Sequence, residues 1–262
     1  MRSFRVFGRR DPTRAGEVDK AMAGDRTIGL RWRLVRSLFE LLYRNRLLYW
    51  LASTIPFAGQ WRTWQRLVLP RLRGKDVLEV GCGTGTLLAD MAAAGYTCIA
   101  VDRSPAMLRA TRARLRRLKI PPTRATVRAA DVRHLPFADA SFDAVVSTFP
   151  TEYIYDPAAA GEIARVLRPG GRLIVVLGAA LLPARLALWP LVALQALVYG
   201  TAPGSTPAAA EPPGGVQTGR LGALYAREGM AGRDEHVRGP FWLALLFLGE
   251  KSASGAPGGL IH

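Results

Sequence analysis

The sequence predicts an α/β fold built on a mostly parallel sheet, on three observations. From Lys75 onward, short apolar runs alternate with helical stretches, the rhythm of strands joined by crossover helices. A glycine-rich turn, "GCGTG" at residues 81–85, joins the first apolar run to the first of those helices. Two further stretches, "EHVR" and the apolar "FWLALLFLGEK", close the series around Gly239 and Pro240 and read as a terminal pair of strands. A chain of 262 residues, 49% hydrophobic and 21% charged, suits one globular domain with a sizeable core and an added segment.

Taken in order, residues 1–27 are charged, lack an apolar core of signal-peptide length and read as a flexible lead-in. Residues 28–51 alternate apolar and basic positions. Arg33, Arg36, Glu40 and Arg44 fall on one helical stripe, and Leu34, Leu38, Leu41, Leu42 and Leu48 take the broad opposite face. "STIPFAGQ" breaks this pattern and "WRTWQRLVLPRLRG" resumes it up to Gly74, so residues 28–74 are expected to form a helical cap or lid.

The main domain, 75–262, begins with the strand "DVLEV", the helix "TLLADMAAAG", the strand "YTCIAVD", the helix "SPAMLRATRARLRRLK" and the strand "ATVRAAD". "FDAVVSTF", "AAAGEIARVLRPGG" and "RLIVVLG" continue as strand, helix and buried strand, with "RPGG" as the stop between the last two. A nearly uncharged apolar segment, 179–200, is expected as an insertion, broken by Pro183, Arg185, Pro190 and Gln195 and therefore a buried or interfacial helix rather than a bilayer span. The Pro/Gly/Ala-rich stretch 201–219 reads as a linker.

A strand ending at Val80, a Gly-x-Gly-x-Gly turn and a helix from about Thr86 set bare backbone and a helix N-terminus against a ligand. A dinucleotide fingerprint requires a small third residue where Thr86 stands, which disfavours a pyrophosphate cofactor. Glu79 lies two residues before the first glycine, and Asp102 ends the next apolar run, 17 residues beyond Gly85. A carboxylate at that strand end can accept hydrogen bonds from both hydroxyls of a ribose; the competing role is a cap for the helix from Ser104. Asp131 is expected to end the third strand, at the carboxyl edge where open α/β sheets bind ligands. His134, beside a turn, is read as structural.

At these residues the chain resembles the class I S-adenosylmethionine-dependent methyltransferases, in particular the group containing the ubiquinone and menaquinone biosynthesis enzymes. The matching stretches are "VLEVGCGTG", "AVDRSPAML", "AADVRHLPFADASFDAVVS" and "VLRPGGRLIVV", between about Lys75 and Leu177. The resemblance implies a Rossmann-like seven-stranded sheet of order 3-2-1-4-5-7-6 with helices on both faces, and S-adenosyl-L-methionine as cofactor. It implies that Gly81, Cys82, Gly83 and Gly85 contact the methionine part, Asp102 the ribose, Arg103 the adenine edge, and Asp131 with Val132 the other side of the adenine. Glu79 and Thr148, at the ends of their strands, complete the expected cofactor set.

Methyl transfer from a sulfonium is an in-line displacement, so alignment and desolvation carry most of the catalysis. Residues just past "FDAVVSTF" face the transferred methyl, which makes Glu152 and Tyr153 the candidate catalytic pair for a polar contact or a base. No Asn-Pro-Pro-aromatic run and no Pro-Cys nucleophile follow that strand, which counts against nucleobase chemistry. The net charge of +16 fits a polyanion or an anionic membrane surface equally well. The leading expectation is a small hydrophobic acceptor, lipid- or quinone-like, with peripheral membrane contact; nucleic acid is disfavoured. The alternatives are an RNA methyltransferase and a non-catalytic cofactor-binding protein at the membrane. Two cysteines, too few for a disulfide framework, point to a cytoplasmic setting.

Overall fold

The computed structural model describes residues 59–182 and 218–253. The amphipathic stretch 28–51 and most of the apolar segment and linker, 183–217, lie outside the described residues. The elements are α1 (Trp61–Gln65), a 3₁₀ turn (Arg66–Arg71), β1 (Asp76–Val80), α2 (Thr86–Ala93), β2 (Thr97–Asp102), α3 (Pro105–Arg117), β3 (Ala125–Ala129), β4 (Phe142–Thr148), a 3₁₀ turn (Glu152–Tyr155), α4 (Pro157–Val166), β5 (Leu167–Leu181), α5 (Thr218–Arg227), β6 (Met230–Arg238) and β7 (Trp242–Lys251). The seven strands form one sheet of order β3-β2-β1-β4-β5-β7-β6, the expected one, parallel except for β7.

The central strands read as near-continuous apolar runs because both of their faces are covered. Side-chain alternation sorts them into two cores. Val77, Ala144, Val146, Ile174 and Val176 pack on one face with Trp64 of α1 and Leu87, Leu88 and Met91 of α2. Leu78, Val145, Leu173 and Val175 pack on the other with Ile163 of α4 and Leu221 and Tyr225 of α5. Helix starts follow local chemistry: Ser104 accepts the Met107 N–H ahead of α3, Asp156 accepts the Ala158 N–H ahead of α4, and each is followed by a proline at the first helical position.

Four expected boundaries move. The helix expected to reach Gly74 is α-helical only over α1 and becomes a 3₁₀ turn containing Pro70, whose missing N–H and ring prevent a regular α-turn. At "RPGG" the chain loops out of the sheet: Leu167 pairs with Phe142 and Arg172 with Ala144. β5 runs three residues into the segment expected as an insertion, because Ala179, Ala180 and Leu181 find partners in Ala244, Leu243 and Trp242. Thr218 and Gly219, expected at the end of the linker, open α5, a helix the sequence reading missed. Gly219 and Gly222 mask its signal, although Leu221 and Tyr225 keep an i, i+4 apolar stripe. No described helix is long and apolar enough to cross a membrane.

Candidate functional site

The glycine turn lies at the carboxyl end of β1. Gly81 (φ 72°) and Gly85 (φ 71°) occupy left-handed backbone, and each is also closed in by a neighbour. A Cβ on Gly81 would lie 2.7 Å from the Tyr153 hydroxyl, and one on Gly85 2.5 Å from Cγ2 of Thr111. The Gly83 N–H donates to Oδ2 of Asp102 at 3.0 Å, and the Ser104 N–H donates to Oδ1 at 2.8 Å. In a phosphate cradle an N–H of this kind is left for the anion. Here it is taken by the Asp102 carboxylate. Asp102 thus ties β2 to the turn and braces the approach to α3, while each of its oxygens keeps a further lone pair. Burial raises its pKa, against the backbone N–H groups of Ser104, Gly83 and Arg103.

Glu79 faces α2 and is 1% exposed, and its Oε2 has no hydrogen-bond partner. Burial first, then the negative charge of Asp102, pushes its pKa up to about 8, with the Leu88 N–H opposing. An orphaned carboxyl oxygen beside a bare turn fits a ligand that brings positive charge or a donor, as the ammonium and sulfonium of S-adenosylmethionine do. Cys82 is buried, with Sγ 3.8 Å from Oγ1 of Thr111, and burial holds its thiol well above the ordinary range.

β3 ends at Ala129, so Asp131 lies beyond the strand it was expected to end. The cause is local: its Oδ1 accepts the Arg133 N–H at 3.0 Å, closing a turn two residues long that competes with extension of the strand. The Arg133 guanidinium also donates to both carboxylate oxygens, at 3.0 and 2.6 Å, and holds the carboxyl well below its usual range. Arg103 stands 3.7 Å from the same carboxylate, and Val132 is buried in the core beneath. The structure therefore brings Arg103, Asp131 and Val132 together beside the end of β2.

At the end of β4, consecutive side chains go to opposite faces. The hydroxyls of Ser147 and Tyr153 lie 2.7 Å apart, Ser147 donates to the Val80 carbonyl at 3.1 Å, and Tyr153 reaches that carbonyl at 3.3 Å. Tyr153 is thereby fixed against the glycine turn. Glu152, its expected companion, is exposed and makes no side-chain hydrogen bond or ion pair among the described residues. On the other face, Gln65 of α1 donates to the Thr148 hydroxyl at 3.3 Å, and its Oε1 has no partner. Phe149 follows with φ 52°, a conformation that costs a non-glycine residue roughly 1 kcal/mol or more. Its ring is stacked by Trp61 at 4.1 Å between centroids and faced by Trp64 at 6.3 Å, and Trp64 meets Trp242 edge-on at 6.3 Å. An aromatic wall thus stands at the carboxyl ends of β4 and β5.

Sequence reasoning missed the residues that brace this site. Thr111 is fully buried and donates to the Gly83 carbonyl at 2.9 Å, and Arg114 donates to that of Thr84 at 2.8 Å. Thr111 had a legible signal: it is the polar member of the buried stripe Met107, Leu108, Thr111 and Leu115. Ser147 and Gln65 had none, because their partners lie 6 to 83 residues away.

Residues 78–175 match the family described as a methyltransferase domain. Among curated proteins it is 39% identical over 145 residues to a demethylmenaquinone methyltransferase of Mycobacterium sp. (strain JLS), covering 54% of this chain and 58% of the relative. A protein of the same name from Mycobacterium tuberculosis (strain CDC 1551 / Oshkosh) is 38% identical over 147 residues, 55% of this chain and 58% of that one. The chain thus spans a little over half the length of these relatives. Among solved structures, a geranyl diphosphate methyltransferase in complex with GPP and sinefungin aligns with TM-score 0.51 at 16% identity, over 72% of this chain and 78% of that one. The [4+2]-cyclase SpnF aligns with TM-score 0.53 at 18% identity, over 74% and 81%. Such distant likenesses establish the fold alone. S-adenosylmethionine, the cofactor implied by the sequence resemblance, fits the geometry of the turn, where Asp102 and Glu79 stand beside close-approaching backbone.

Proposed function

We propose that this protein transfers the methyl group of S-adenosylmethionine to a small apolar acceptor of the quinone or lipid kind. The observation that carries the acceptor class is the half-buried pair Trp61 and Phe149 at the carboxyl edge of the sheet, backed by the buried Trp64 and Trp242. That edge is where open α/β sheets bind ligands, and stacked aromatic rings there favour a flat apolar body over a charged metabolite. The relatives' name, demethylmenaquinone methyltransferase, supports the same chemistry.

When bound, the cofactor supplies an electrophilic methyl on a sulfonium. The chain's own residues then bind, orient and exclude water. Gly81, Cys82, Gly83 and Gly85 give close backbone approach, Asp102 offers its remaining lone pairs to the ribose hydroxyls, Arg103, Asp131 and Val132 bound the adenine side, and Glu79 and Thr148 mark the ends of β1 and β4. Tyr153, held by Ser147, presents a fixed hydroxyl beside the turn, and Glu152 is the exposed carboxylate available as a proton acceptor. Trp61 and Phe149 exclude water from the acceptor, which strengthens alignment and lowers the cost of displacement.

The test incubates the full chain with methyl-labelled cofactor and three fractions at one salt concentration: prenylated and other lipids, polar metabolites, and structured RNA. Label in the lipid fraction is the expected result. Label confined to RNA replaces this reading with the nucleic-acid one, and binding of cofactor with no label anywhere replaces it with a non-catalytic role.

A further inference from the structure

We infer that the flank of the sheet formed by α3 and the edge strand β3 is a docking surface for an anionic lipid bilayer. Between residues 103 and 130 there are nine lysines and arginines and no aspartate or glutamate, in a chain whose net charge is +16. This is one of two concentrations of positive charge in the chain, the other being residues 1–74 with sixteen lysines and arginines against five acidic residues. The opposite flank makes the contrast: residues 218–238, through α5 and the other edge strand β6, hold four arginines and three acidic residues.

The fold turns that charge outward. Met107, Leu108, Thr111 and Leu115 are the buried side of α3, so Arg109, Arg112 and Arg116 share the exposed side at i, i+3 and i+7. Arg117, Lys119 and Arg124 extend the exposed basic surface past the helix end. Leu118, between Arg117 and Lys119, is 50% exposed and is the one exposed large hydrophobic residue among those described. A cationic helix face with an apolar side chain at its tip suits the headgroup boundary, where charge is attracted to anionic lipid and leucine enters the acyl region.

RNA offers the same charge but a different second requirement. Unpaired bases are held by stacking on aromatic rings, and no Phe, Tyr or Trp occurs between residues 103 and 130. The helix starts beside the Asp102 end of β2 and carries the basic face from the crevice edge to the opposite edge of the sheet, where Leu118 lies. The choice of partner rests on the proposed apolar acceptor, which resides in membranes; the binding itself is read without methyl transfer.

The experiment is co-sedimentation of the full chain with vesicles of phosphatidylglycerol and phosphatidylcholine, or of phosphatidylcholine alone. Each cation near an anionic surface adds about five-fold to partitioning, so Arg109→Glu with Arg112→Glu and Arg116→Glu should cut binding to the anionic vesicles by roughly a hundred-fold or more. The corresponding triple Gln variant should lose roughly a hundred-fold. Both variants should keep their calorimetric affinity for S-adenosylhomocysteine, which shows that they fold. Arg227→Glu with Arg233→Glu and Arg238→Glu makes the same change in net charge on the other flank and should cost far less. Equal losses for the two Glu triples, equal binding to both vesicle types, or structured RNA displacing the vesicles through the same three arginines would each overturn the inference.

Discussion

The two ends of the site are built by opposite means. On the cofactor side, β1 and β2 are joined by polar locks among near neighbours in the fold: Gly83 to Asp102, Ser104 to Asp102, and Thr111 to the Gly83 carbonyl. On the proposed acceptor side, residues 61, 64, 149 and 242 make ring contacts. Polar locks demand particular atoms at particular spacing, so one substitution breaks them. Ring contacts demand area, so they tolerate change and set which acceptor fits. The cofactor side should therefore be intolerant and the acceptor side graded.

The largest loss is expected for Gly85→Val. Its side chain must adopt a left-handed backbone and displace Thr111, which should lower affinity for S-adenosylhomocysteine roughly a hundred-fold or more, as read by calorimetry. Asp102→Ala should follow, at roughly ten- to a hundred-fold, the loss of about 1.5 to 3 kcal/mol of charge-assisted hydrogen bonding. Trp61→Ala removes the stack on Phe149 and should raise the acceptor KM by about ten-fold while kcat for bound acceptor falls less; unchanged acceptor kinetics would place the acceptor elsewhere.

The smallest expected effect is on stability. The folded protein keeps the Glu79 proton up to about pH 8, whereas the ordinary value is 4.5. Its contribution to stability is whole below about 4.5 and is lost as pH rises toward 8, by up to about 1.4 kcal/mol per unit. Glu79→Gln removes this dependence, so between about pH 6 and pH 7 the wild-type Tm should fall by roughly 2 to 4 °C relative to the variant. Parallel Tm curves for the two proteins would show that Glu79 is ionised across that range.

The contrast also explains what the sequence made legible. The turn, Asp102 and the alternation of strands and helices follow from local spacing, and the strand order followed once four stretches in the right order had given the resemblance. Asp131 was misplaced because its side chain bonds the Arg133 N–H two residues on, a competition that apolar periodicity does not register. α5 was hidden by two glycines within a Pro/Gly-rich context and is fixed by packing of Leu221 and Tyr225 on the sheet. The aromatic wall was half visible: Trp61 and Trp64 were readable as one helix face, but their partners Phe149, just past β4, and Trp242, in β7, lie 88 and 178 residues beyond Trp61 and Trp64 respectively.

Whether the two sides act separately is decided by a cycle of Asp102→Ala, Trp61→Ala and the double variant, with S-adenosylhomocysteine affinity measured by calorimetry and acceptor KM by labelled methyl transfer. Asp102→Ala should weaken the first, Trp61→Ala should raise the second, and the double variant should show the two losses added to within about 0.5 kcal/mol. A Trp61→Ala protein that loses cofactor affinity as strongly as Asp102→Ala does, with its acceptor KM unchanged, would contradict the division of the site.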